Sequence, residues 1–308
     1  VGHLAQNLDR VSGLIESPTV VRHRGSHSRV MIITGAVATT IVGASVPVTG
    51  LLDSYPVLSG QAVRYAIGGA ALLAWALITR QPVPRPRGRD LVALSLLAAT
   101  GMLGFSACVL AAQRHAEPGF VAAVVGASPL VLALLGPLTA GRRPRARVVA
   151  GAVLVVAGVV TLSGGGSWGW AGLGLAALAL VGEALFTLLA VGPVARIGAL
   201  GVSTWACFLA AVEGAVVATV TEGAAAWRAP DATEALALVV LGVVVTAVAY
   251  ICWYRCVSRV GADRAGVLVG LMPVSGLLAS LALGAQSLSL LALAGALVVA
   301  VGCALGLG

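Results

Sequence analysis

Three charged residues stand inside stretches that are otherwise almost wholly apolar: Arg64, Glu183 and Glu213. A charge at the centre of a membrane-crossing helix costs about 2.5–3.5 kcal/mol on insertion scales, so such a residue is expected to face a cavity or a partner. Arg64 falls about seven residues into its stretch, roughly 10 Å deep at 1.5 Å per residue. Gln61, Arg64, Gly68, Ala71 and Trp75 share one helical face through their three- and four-residue spacing. A guanidinium grips a carboxylate with two parallel hydrogen bonds, so this stripe suits an anionic or zwitterionic solute. The competing reading pairs Arg64 with Asp53 or with backbone carbonyls, or lets it snorkel outward.

Glu183 and Glu213 are the candidates for proton coupling, because a buried carboxyl can exchange a proton as it moves between surroundings. The alternative is a hydrogen bond between helices that fixes packing. Thr246, Tyr250 and Tyr254 recur every four residues, with Trp253 beside them, and offer a hydroxyl-bearing face. Tyr250 and Trp253 join Arg64 and Gln61 as candidate substrate contacts; an aromatic stripe used only for packing is the rival. Pro129 and Pro273 lie within apolar stretches, where a missing N–H can kink a helix, so both are candidate hinges.

The elements that must carry these residues follow from composition. The chain is 59% hydrophobic and 10% charged, against about 25% charged in a soluble domain, and its mean hydropathy is +1.02. Apolar runs near the ~20 residues needed to cross a hydrocarbon core recur along it, and the shorter alternating segments of a barrel are absent. The expected fold is an all-α polytopic membrane protein with ten spans: 30–50, 57–79, 91–112, 119–140, 147–164, 169–190, 200–220, 235–256, 265–283 and 288–307. Residues 1–29 are polar and are expected to form a disordered cytoplasmic tail. His23 and His27 stand four apart there, too few ligands for a metal site.

A duplication organises the spans. Cys108, Gly126, Pro129, Gly151 and Gly158 recur as Cys252, Gly270, Pro273, Gly295 and Gly302, each displaced by 144 residues. Two repeats are expected, 30–164 and 165–308. Their orientation follows from arginine, the only strongly basic residue type in a chain of net charge +8. With a cytoplasmic N-terminus, 16 of the 19 arginines fall inside, Arg114 and Arg228 fall outside, and Arg64 is within a span. The bias predicts N-in, C-in topology in the inner membrane. Five spans per repeat is an odd number, so the second repeat is expected to be inverted relative to the first. The basic balance is assigned to orientation and anionic lipid, not to nucleic acid.

The chain resembles the drug/metabolite transporter superfamily, in particular ten-helix EamA-type transporters. The resemblance rests on Arg64-Tyr65 early in span 2, on Gly119 to Gly158 with Pro129 and the loop Gly141-Arg142-Arg143-Pro144, and on Ala265 to Gly302 with Pro273. It covers about residues 30–307 and implies a ten-helix transport fold whose cargoes include amino acids, other metabolites and toxic organic compounds. Val42-Gly43 stands where family members often have Trp-Gly, and Gly141-Arg142 and Ala285-Gln286 where they often have Gly-Glu. The first span carries no acid, so the coupling glutamate of the four-helix relatives has no counterpart here.

Phosphate-binding loops, zinc motifs and nucleophile elbows are missing from the sequence. The five cysteines, Cys108, Cys207, Cys252, Cys256 and Cys303, read as small apolar helix residues. The expectation is therefore a secondary transporter that is not an enzyme and needs no cofactor or metal, exporting small metabolites by alternating access with protons as the candidate coupling ion. A passive facilitator, or a membrane-embedded enzyme or scaffold, remains the alternative.

Overall fold

In lipid a backbone N–H or C=O has no water to bond, so an apolar chain satisfies these groups within helices. The computed structural model describes residues 18–139, 141–164, 166–284 and 289–308. Among these residues ten helices are long and apolar enough to cross a membrane. They are α1 Arg29–Gly50, α2 Val57–Ile78, α3 Gly88–Ala112, α4 Pro118–Thr139 and α5 Ala146–Ser163. The second half contains α6 Trp170–Leu188, α7 Val191–Trp227, α8 Ala232–Val260, α9 Ala262–Ala282 and α10 Leu290–Leu307. Every expected span is present.

The boundaries differ most in three places. The backbone of α1 continues from a helix that starts at Pro18, a residue suited to a first helical turn, so only 1–17 of the expected tail lie outside the described residues. The side chains of His23 and His27, and the Ala285-Gln286 pair, also lie outside them. Helix α7 starts at Val191 and bends at Gly198, whose φ of 74° suits a residue without a Cβ. Helix α3 starts at Gly88, where the Asp90 carboxylate accepts the Arg87 backbone N–H at 3.4 Å.

The halves are related by a two-fold arrangement visible in their packing. Helix α1 packs on α8 and α9, and its counterpart α6 packs on α3 and α4. Helices α5 and α10 meet through glycines. A Cβ at Gly151 would fall 2.7 Å from the Gly302 carbonyl oxygen, and one at Gly158 would fall 2.7 Å from that of Gly295. The 144-residue shift turns Gly151 into Gly295 and Gly158 into Gly302, so each contact maps onto the other. Exchange of this kind is what a two-fold axis produces. The order also reverses along the pair, so α5 and α10 run antiparallel and the second repeat is inverted. Close backbone approach, without any apolar contrast against lipid, is the usual basis of such contacts.

Both repeats interrupt their helices at matching places. Helix α4 breaks at Gly126-Ala127, between Pro118–Val125 and Ser128–Thr139, and α9 passes through a 3₁₀ turn at Leu268–Gly270. Pro129 and Pro273 stand in the first turn of the segment after each break, where a missing N–H costs little. A further proline, Pro137, is inside the second segment of α4. Helices α3 and α8 widen into π-helical turns at Ala98–Gly104 and Leu241–Val248, which the repeat shift superposes to within a residue. Such turns often mark functional positions.

Most of the arginines gather on one face. There Arg142 approaches Asp263 at 3.9 Å, Arg147 donates to the Leu305 carbonyl at 3.0 Å, and Arg196 grips Asp90. On the opposite face Ser167 donates to Glu117 at 2.7 Å and Tyr55 to the Arg228 carbonyl at 3.0 Å.

Candidate functional site

Arg64 stands in the second turn of α2, and the widened segment of α8 lies across from it. The small surfaces of Gly68 and Gly242 let these helices touch: a Cβ at Gly68 would lie 2.8 Å from the Thr246 methyl. That approach carries the Thr246 hydroxyl to the guanidinium, whose Nε donates to it at 2.9 Å. The Gln61 side-chain oxygen accepts from Nη1 at 3.5 Å, one turn earlier on the same helix. Tyr65 packs under the cation, 5.4 Å from its ring centroid, which adds a cation–π contribution.

Among the described residues Arg64 has no carboxylate partner, and its Nη2 has no acceptor. Asp53 does not pair with it. The half-buried guanidinium thus keeps free the part of its fork that would recognise a carboxylate. Tyr65 is buried, with Tyr250 and Ser106 beside its phenol. Ser106 and Tyr250 are repeat counterparts, so the two halves converge at this point. The result is a cation surrounded by hydroxyls and one amide, at the junction of the repeats.

The other expected site residues are distributed around this cluster. Trp253 is buried, with its ring N–H donating to the Thr187 hydroxyl at 3.2 Å, on the side nearer the arginine-rich face. Trp75 is 51% exposed on the molecular surface, outside the cluster. Gly68 is pressed against α8 and lines no space. Glu183 makes no hydrogen bond among the described residues and lies near Tyr254. Glu213 accepts a short hydrogen bond from Ser95 of α3, and its second oxygen is buried without a partner. The two acids therefore occupy separate places, neither against Arg64.

The sequence profile of the EamA-like transporter family matches residues 29–164 and 170–307, one match per repeat. The chain belongs to this family. This EamA-like transporter is 26% identical over 253 residues to the "Uncharacterized transporter YetK" of Bacillus subtilis (strain 168), covering 80% of this chain and 77% of that one. It is 32% identical over 139 residues to the "Uncharacterized transporter YdeK" of the same organism, covering 44% and 48%. A solved crystal structure superposes with a TM-score of 0.76 at 22% identity, covering 90% of this chain and 96% of the other, which supports the fold alone. The protein is a multi-pass membrane transporter of small solutes.

Two acids escaped the sequence reading. Asp90 and Glu234 are separated by the repeat interval of 144, and both are buried at the start of a helix. Asp90 accepts from the Arg196 Nε at 2.6 Å. Glu234 accepts from the Asp231 backbone N–H at 2.9 Å, from the Arg228 Nη1 at 2.8 Å and from the Ser54 hydroxyl at 3.2 Å. Arg228 also lies 4.6 Å from the Tyr55 ring, and the Glu234 carboxylate raises its pKa above the usual arginine value. Each acid thus joins residues of the two repeats, at opposite faces. The interval shared by Arg87/Asp90 and Asp231/Glu234 was the available signal.

Proposed function

We propose that this EamA-like protein is a secondary active transporter that exports a small carboxylate-bearing metabolite, an amino acid or close relative, across the cytoplasmic membrane by alternating access. Arg64 carries the reading. It is a cation held about 10 Å into the membrane by Thr246 and Gln61, with no carboxylate of the described chain paired to it. Leaving such a charge without a counter-ion is costly unless a water-filled path or a solute supplies one. Tyr250, Ser106 and Thr246 add hydroxyls for the polar remainder of the solute. The wide arginine bias favours N-in, C-in orientation, with the arginine-rich face cytoplasmic.

Glu183 and Glu213 are the proton-coupling residues of this reading. Glu183, which has no hydrogen-bond partner among the described residues, is the better placed of the two to exchange a proton with the pathway. Pro129 and Pro273 mark the points at which matched helices flex. Proteoliposome counterflow tests the whole. Vesicles loaded with amino acids and related carboxylates should take up labelled members saturably, and an inward-acid or inward-alkaline gradient should drive accumulation in one direction. Saturable exchange indifferent to pH would remove the proton roles, and flux that never accumulates would favour a facilitator.

A further inference from the structure

When two inverted repeats exchange conformations, a contact present in both symmetry-related copies can survive the exchange, whereas a contact present in one copy only must break as its counterpart forms. The glycine pairs of α5 and α10 are present in both copies. The inter-repeat clamps, Asp90–Arg196 at the arginine-rich face and Glu234–Ser54 at the opposite face, are near counterparts: the acids are repeat mates, and their partners lie within two residues of the shifted positions. Other packings lack a comparable counterpart: the second segment of α4, Ser128–Thr139, packs on Ala262–Val267 of α9, while Pro118–Val125 and Leu271–Ala282 show no comparable packing. Helix α7 packs along the second segment of α8, Ala249–Val260, whereas its counterpart α2 meets the second segment of α3, Phe105–Ala112, only sparsely, where Tyr65 reaches Ser106.

Side chains follow the same asymmetry. Trp253 and Tyr254 are 5% and 0% exposed, while their repeat counterparts Val109 and Leu110 are half-buried and 43% exposed. Phe186 of α6 stands between α3 and α8, its backbone 2.8 Å from where a Cβ at Gly101 would lie. Its ring centroid is 4.9 Å from that of Tyr250 and 5.3 Å from that of Tyr254, whose hydroxyl donates to the Phe186 carbonyl at 3.2 Å. The Thr187 hydroxyl, one residue on, accepts from Trp253. Resting on the alternating-access reading above, we propose that Phe186, Trp253 and Tyr254 form the gate that closes the arginine-rich face. The structure is then the state open toward the opposite face, and the Asp90 and Glu234 clamps are pivots that persist through the cycle.

Paired spin labels in a cysteine-free protein in proteoliposomes test this without any solute. One pair, at Ala195 and Ser258, spans α7 and α8 at the arginine-rich face; another, at Val57 and Gln113, spans α2 and α3 at the opposite face. Trp253→Ala should add a longer distance to the first pair and a shorter one to the second. Thr187→Val, which removes only the hydrogen bond to Trp253, should shift populations the same way by a smaller amount, and it serves if the alanine variant fails to fold. Asp90→Asn and Glu234→Gln, near-isosteric and able to keep their helix caps, should lower the unfolding temperature but leave both distance distributions in parental proportion. Unchanged distances in folded Thr187→Val and Trp253→Ala, or both pairs lengthening together, would overturn the gate. Population shifts in the acid variants would overturn the pivots. Absence of counterflow would leave these distances standing, whereas fixed distances alongside intact counterflow would reject the gate and keep the transport reading.

Discussion

Gly158→Ala places one methyl group where α5 and α10 cross, and the structure sets its cost. The new carbon would stand 2.7 Å from both the Gly295 carbonyl oxygen and the Val299 amide nitrogen. These are backbone atoms of a neighbouring helix, so no rotamer relieves the contact. Reaching an ordinary separation requires the helices to part by roughly 0.7 Å, enough to forfeit a quarter or more of the dispersion energy along the seam. Overpacking of this kind costs about 1–3 kcal/mol. Helix propensity acts in the other direction, favouring alanine by up to about 1 kcal/mol. Gly174→Ala separates the two terms, because a Cβ at Gly174 meets nothing within 4 Å. The difference between the two variants should therefore be about 1–3 kcal/mol, a roughly 5- to 150-fold change in the unfolding equilibrium. Unfolding by dodecyl sulfate in mixed micelles, followed by helicity, measures it. Adding Gly295→Ala to Gly158→Ala should cost less than the sum of the single changes, since one separation accommodates both methyls. Equal stability of Gly158→Ala and Gly174→Ala, or strict additivity of the glycine pair, would refute the contact and with it this evidence for the two-fold axis.

Further outcomes follow from the site. Arg64→Lys keeps the charge but loses the planar fork, and should weaken half-saturating counterflow of a carboxylate solute by about 10-fold or more, at ~1.5–3 kcal/mol per charge-assisted bond; unchanged affinity would end the carboxylate assignment. Thr246→Val removes the acceptor of the Arg64 Nε and should raise the half-saturating concentration several-fold, while Arg64→Ala in the same background should add less than it does alone. Glu183→Gln should abolish pH-driven accumulation and leave solute exchange intact; normal accumulation would move the proton role elsewhere. Ser95→Ala leaves Glu213 without its one hydrogen-bond donor and should lower detergent stability by about 1–2 kcal/mol, measured by the same dodecyl sulfate titration.

The crossings, the duplication and the isolated charges were legible from the order of the residues alone. Hydropathy is a property of each residue, and an apolar run of about 20 residues has one low-energy arrangement in lipid, a helix across it. The offset shared by Gly151, Gly158, Gly295 and Gly302 made the two repeats legible, and Arg64 announced itself by its cost. Which residues meet came only with the packing. Lipid and protein interior are equally apolar, so no polar-to-apolar contrast in the sequence separates a lipid-facing side from a packed one. Trp75 and Trp253 illustrate this: both lie on aromatic or polar stripes, yet one faces outward and the other is bonded to Thr187. The same limit hid the Asp90 and Glu234 clamps, whose partners Arg196 and Ser54 are 106 and 180 residues away in the chain. It also hid the widened turns of α3 and α8, whose i→i+5 hydrogen bonding leaves no mark on hydropathy.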